Sequence, residues 1–150
     1  MVVGSSESAL ASPPAALPER IAPSTTVPSI LLIPEPDTRL LLKGLLRLHR
    51  HPVVFEADGI ADLARLPPSP EPKIALVEVD LADPNWTDAL GARLAERPDV
   101  RAVLVTTDRS PRLGEQARAA GCRAVLVRPF QIRDLMGALD AAARAHDGPA

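Results

Sequence analysis

The stretch Ile74-Ala75-Leu76-Val77-Glu78-Val79-Asp80 decides the fold. Four apolar residues precede the first carboxylate, the pattern of a strand buried on both faces, and such strands belong to parallel sheets wrapped by helices. Glu78 then falls near that strand's C-terminal end. In an open α/β sheet this edge is where ligands and chemistry collect. A carboxylate there has two readings: a functional acid, or one that only marks where the strand meets solvent.

Upstream, Ser29-Ile30-Leu31-Leu32-Ile33 is a second buried run, stopped by Pro34-Glu35-Pro36-Asp37. Proline cannot donate to a central ladder and restricts the residue before it, so a loop should follow, with Glu35 and Asp37 as an acidic corner. From Thr38 to Arg50, Leu41, Leu42, Leu45, Leu46 and Leu48 recur at helical spacing, with Arg39, Lys43, Arg47 and Arg50 on the other side. This predicts an amphipathic helix packed on the sheet. Val53 to Ala57 reads as a strand. Asp58 reads as the N-cap of a short second helix through Ile60, Leu63 and Leu66, ended by Pro67, Pro68, Pro70 and Pro72.

Downstream, a polar loop from Leu81 to Trp86 leads into a helix through Leu90 and Leu94 to about Arg97. Val100 to Val105 is a strand closed by Thr106-Thr107-Asp108. A weak helix with Leu113, Ala117 and Ala120 ends at Gly121, where a helix C-cap favours glycine. Ala124 to Val127 is the fifth strand, terminated by Arg128-Pro129-Phe130, and the last helix places Ile132, Leu135, Met136, Leu139 and Ala143 on one face. Five strands alternate with five helices, so the expected fold is α/β: a doubly wound, five-stranded parallel sheet. Its strand ends bring Glu35 or Asp37, Glu78, Asp80, Thr106 and Arg128 to one edge.

The 150 residues, 46% hydrophobic and 24% charged, suit one modest domain, expected over residues 29–146. Residues 1–28 are rich in Ser, Ala and Pro and are expected to be a flexible tail, with 147–150 as a frayed end. No apolar run is long enough to cross a bilayer, and Met1 to Leu10 lacks the pattern of a secretory signal, so a cytoplasmic protein is expected. The lone Cys122 excludes an internal disulfide and reads as a core residue. A net charge of −2 gives no general reason to expect nucleic acid. From Arg97 to Arg144, however, nine basic side chains stand against five acidic ones.

From about Ser29 to Ala145 the chain resembles the receiver domain of bacterial response regulators, a (βα)5 flavodoxin-like fold. Thr106 stands at the family's hydroxyl position after the fourth strand. Arg128-Pro129-Phe130 stands where the family shows Lys-Pro-Phe. Asp58-Gly59 and the run Ala119-Ala120-Gly121-Cys122-Arg123-Ala124 also match in order. Three elements depart from the pattern: Glu78 occupies the phosphoacceptor position in place of Asp, the acidic pair is reduced to Pro34-Glu35, and Arg128 replaces Lys. The resemblance therefore implies a degenerate, pseudo-receiver type.

Each departure has a physical consequence. In a receiver, Asp attacks a phosphoryl group while Mg²⁺ neutralises charge on the transferring oxygens. Glutamate reaches about 1.5 Å further than aspartate, and a displacement of that size costs roughly 100-fold in rate. Glu35 and Glu78 make at most a weak Mg²⁺ site, and no cofactor is expected unless that site functions. Arg128 is a permanent cation able to grip a carboxylate. Direct pairing of Glu78 with Arg128, near Thr106, would lock the switch; an inert relic and a working phosphoacceptor are the other readings. The family's aromatic switch reporter on the fifth strand is Val125 here.

The function expected is a stand-alone signalling module of two-component type, independent of phosphorylation and acting through protein contacts. The alternative is a phosphorelay response regulator using Glu78 or Asp80. The resemblance implies a docking or dimer face that includes Arg112, Arg118, Arg123, Arg133 and Asp134, with a histidine kinase or a regulatory protein as partner and a homodimer as one arrangement. No catalytic residue is assigned and no enzyme is expected. Pro34-Glu35-Pro36-Asp37 opposes a nucleotide pyrophosphate, and His49, His51 and His146 lack nucleophile or metal-ligand neighbours. Since the sequence stops shortly after the fifth helix, direct DNA binding is not expected.

Overall fold

The computed structural model describes residues 27–145. The expected tail lies outside the described residues except for its last two positions, as does the C-terminal end. Five parallel strands form the sheet: β1 (Ser29–Leu32), β2 (Val53–Ala57), β3 (Lys73–Val77), β4 (Val100–Thr106) and β5 (Cys122–Val127). Their spatial order is β2-β1-β3-β4-β5. The helices are α1 (Pro36–Leu48), α2 (Trp86–Ala95), α3 (Leu113–Ala119) and α4 (Ile132–Ala145).

Alternation along the strands divides the core in two. Ile30 and Leu32 of β1 face one way, with Ala75, Val77 and Leu104, and meet Trp86, Leu90 and Leu94 of α2 and Leu113 and Ala117 of α3. Leu31 and Ile33 face the other way, with Leu76, Val103 and Val105, and meet Leu42 and Leu46 of α1 and Leu135 and Leu139 of α4. Successive strand residues point to opposite faces, so both sides of β1, β3 and β4 require a helical layer. This is the doubly wound flavodoxin-like receiver architecture. Gly121 holds φ +102 just beyond α3, next to Leu94, and so ends that helix as its position suggested. Cys122 is buried, which pushes its thiol up to about 12.

Three local expectations are corrected. The second helix is a six-residue 3₁₀ segment, Ile60–Arg65, whose N-cap is Gly59 without a side-chain bond. Asp58 instead accepts from Arg39 Nη1 at 3.3 Å. Leu66, ahead of Pro67, takes an extended backbone and closes the segment, as the residue before a proline favours. On α1 the inward stripe is Thr38, Leu42 and Leu46, while Leu41 and Leu48 point to solvent. Ile132, at the start of α4, is likewise exposed. Finally, β2 departs from the buried pattern of β1, β3 and β4: Val53 to Glu56 alternate between half-buried and exposed and Ala57 is buried, as an edge strand permits.

Candidate functional site

All five strands run the same way, so the residues following β1, β3, β4 and β5 collect at one edge. The strand order reverses between β1 and β3, and such a switch point opens a crevice at the strands' carboxyl ends. Glu78 leaves β3 there, its backbone N–H bonded to Leu32 O at 3.1 Å. Arg128 leaves β5 with its N–H on Thr106 O at 2.7 Å, and the Arg128–Pro129 peptide is cis. Each backbone is thus tied to the neighbouring strand.

The two side chains meet. Arg128 Nη2 donates to Glu78 Oε2 at 2.7 Å, with 25% and 21% of the side chains exposed. Arg128 Nη1 donates to Thr38 Oγ1 at 2.7 Å, and that hydroxyl donates in turn to Glu35 Oε1. A guanidinium therefore bridges two acids, reaching Glu78 directly and Glu35 through one hydroxyl. Charge-assisted bonds of this kind are short and strong. Glu78 Oε1 and Arg128 Nε are buried and have no protein partner.

Glu35 is also the N-cap of α1, accepting from Thr38 N–H at 3.2 Å. The Thr38 hydroxyl bond, more than any other influence, holds its carboxyl below the usual glutamate range. Asp37 is exposed in the first turn of α1. Asp80 turns into its own loop, where Oδ1 accepts from Ala82 N–H at 3.0 Å. Thr106 is buried, and its hydroxyl accepts from Asp108 N–H at 2.9 Å, closing the turn after β4. The geometry thus joins Glu78, Arg128 and Glu35, and turns Asp80 and Thr106 toward their own loops.

Thr38 is the residue that reading by strand ends passes over. Its signal was present in Glu35-Pro36-Asp37-Thr38, an acid three residues ahead of a hydroxyl with proline at the first helical position, the pattern of a helix start.

The fold family implies Mg²⁺, and the donor set can be tested for it. Mg²⁺ demands near-octahedral oxygen ligation, usually with one or two carboxylates free to serve it. Here Thr38 engages Glu35 and Arg128 engages Glu78, so each carboxylate already has an oxygen committed within the chain. Among the described residues no group of three or more His, Cys, Asp or Glu side chains is placed to hold a metal. This arrangement does not fit a divalent cation.

The exposed arginines lie along α3, β5 and α4. Arg112 precedes α3, Arg118 is in its last turn, Arg123 is on β5 and Arg133 is at the start of α4. Asp134 Oδ2 accepts from Gln131 N–H at 2.8 Å and so steadies the first turn of α4. Among the described residues no helix is long and apolar enough to cross a membrane.

No family model matches the chain. The transcriptional regulatory protein PdtaR of Mycobacterium tuberculosis is 32% identical over 119 residues, 77% of this chain. The chain spans 57% of that relative's length. Among solved structures, the pilus assembly protein CpaE of Burkholderia thailandensis matches with a TM-score of 0.67 at 22% identity, over 78% of this chain and 98% of that one. The chemotaxis response regulator CheY4 of Vibrio cholerae matches with a TM-score of 0.61 at 20% identity, over 78% and 99%. The receiver domain of NarL from M. tuberculosis gives 0.61 at 24%, over 79% and 97%. With the strand order and the cis Arg-Pro in place, residues 29–145 have the fold of a response regulator receiver domain.

Proposed function

We propose that this receiver is a pseudo-receiver: it signals without accepting phosphate, needs no metal, catalyses no reaction of its own and works in the cytoplasm through protein contacts. The observation that carries the reading is the 2.7 Å bond from Arg128 Nη2 to Glu78 Oε2. An acceptor oxygen held by a permanent cation is a poor nucleophile. Its other oxygen, Oε1, is buried, so an incoming phosphoryl group lacks a line of attack. The same bond supports a locked conformation, since it ties the end of β3 to the end of β5 and the longer carboxylate of Glu78 partly imitates the charge that phosphorylation places at this edge.

Output then depends on what surface is displayed. The arginines of α3, β5 and α4 favour an acidic protein partner, a histidine kinase or a regulator. Transcriptional regulation, the role in the mycobacterial relative's name, would reach this chain through such a partner.

The test is intact mass after incubation with Mg²⁺ and a small-molecule phosphodonor, for the wild type and for Glu78→Asp, Glu78→Ala and Asp80→Ala. The expected result is no phosphate-sized adduct on the wild type. An adduct on the wild type, lost in Glu78→Ala or Asp80→Ala, overturns the reading and identifies the acceptor.

A further inference from the structure

The solvent side of α1 carries leucines that the fold does not use. Leu40, Leu41 and Leu48 are 70%, 55% and 73% exposed. With about 3.6 residues per turn, Leu40 and Leu48 flank Gly44 on the side opposite the buried Leu42 and Leu46. Glycine inside a helix is unfavourable relative to alanine. Nothing within the described chain requires it here, because a Cβ at Gly44 would meet no atom within 4 Å.

We propose that this face pairs with the same face of a second copy, as an antiparallel helix pair crossing at Gly44. A two-fold contact uses one patch on both subunits, so the patch must complement itself. About an axis at Gly44 this one does: Leu40 of one copy stands opposite Leu48 of the other. The absent Cβ at the crossing lets the two backbones approach, and antiparallel helix dipoles add favourably.

The charges also agree. Arg39 and Lys43 are engaged within the chain by Asp58 and Glu56. Asp37 and Arg50 enter no ion pair among the described residues. In the antiparallel pair, Asp37 at the start of one α1 comes beside Arg50, just past the end of the other. This face lies on α1, apart from the arginine-bearing elements, so its failure would leave the pseudo-receiver reading untouched.

Sedimentation equilibrium of the full 150-residue chain, from low micromolar to near-millimolar concentration, tests the proposal. The wild type should dimerise. Leu40→Glu and Leu48→Glu should each weaken the dimer by about 30-fold or more, the loss typical of a hot spot, with monomer melting unchanged. Asp37→Arg should weaken it, and adding Arg50→Asp should restore it; Arg50 holds φ 67, which aspartate tolerates. Gly44→Ala should raise monomer melting yet weaken the dimer, a split that helix propensity alone does not produce.

A dimer indifferent to both leucine variants overturns the proposal, as does a monomer at every concentration. If the leucine variants lower the melting of a monomer, residues 1–26 cover the stripe. If they leave it unchanged, the stripe belongs to a different protein.

Discussion

The two edges of the sheet carry ionic clusters built from the same chemistry and used in opposite ways. At the edge where the strands begin, Arg97 grips Asp99 with two bonds of 3.0 Å and gives Nη1 to Leu63 O at 3.0 Å and Leu66 O at 2.8 Å. Lys73 Nζ reaches Ser69 Oγ at 2.6 Å, Glu71 O at 3.1 Å and Asp99 Oδ2 at 3.2 Å. These side chains are 10%, 7% and 9% exposed for Arg97, Asp99 and Lys73. At the other edge, Glu78 and Arg128 are more open, and each keeps a buried polar atom without a protein partner. The first cluster is saturated and ties the 3₁₀ segment and the proline-rich connection to the sheet. The second departs from full satisfaction, which is where functional sites are expected to break the local rules.

The largest expected effect is at the saturated edge. Arg97→Ala strips a buried acid of its main partner and frees two carbonyls, so denaturant unfolding should show a loss of about 3–5 kcal/mol. Little loss would make that cluster a surface feature and erase the contrast.

Acid should act on the same group. Asp99 is pulled down to about 2, chiefly by its bonds from Arg97. A carboxyl lowered in the folded state contributes stability that is complete above its unfolded value near 4 and is lost as pH falls toward 2. That contribution is roughly 2 kcal/mol. Urea midpoints measured across this window should fall, and Asp99→Asn should flatten the fall.

Smaller losses are expected at the switch-point edge. Arg128→Ala leaves Glu78 half-buried without its cation and should lower unfolding free energy by about 1–2 kcal/mol, discounted for partial exposure. A cost equal to that of Arg97→Ala would show two structural staples instead of one staple and one site. Thr38→Val removes the hydroxyl that links Arg128 to Glu35 and should cost about 1 kcal/mol in the same assay. Its effect should shrink in an Arg128→Ala background, as coupled neighbours do.

Much of the fold was legible because buried parallel strands are read from short apolar runs, and Ile30 to Ile33, Ile74 to Val77 and Ala102 to Val105 needed no tertiary information. Glu78 and Arg128 were legible for a related reason: each follows a strand directly, so direction alone brings both to one edge. The cluster around Asp99 was not. Lys73, Arg97 and Asp99 border strands or helices, where charged residues usually meet water, and nothing local distinguishes a buried trio from three solvated side chains. The leucines of α1 misled for the converse reason. Six in eleven positions mark a helix, but they exceed what one buried stripe can hold, and the pattern does not say which remain outside.

The sequence by itself therefore decided strand positions, their parallel arrangement and the edge at which Glu78, Arg128 and Glu35 assemble, because these depend on periodicity and chain direction within short windows. Only the tertiary structure decided that Thr38 completes the link to Glu35, that Thr106 and Asp80 turn into their own loops, that the second helix tightens to 3₁₀ and that Leu40, Leu41 and Leu48 face outward. Each of those outcomes depends on packing between segments distant in sequence, which sets side-chain direction and which no local pattern encodes.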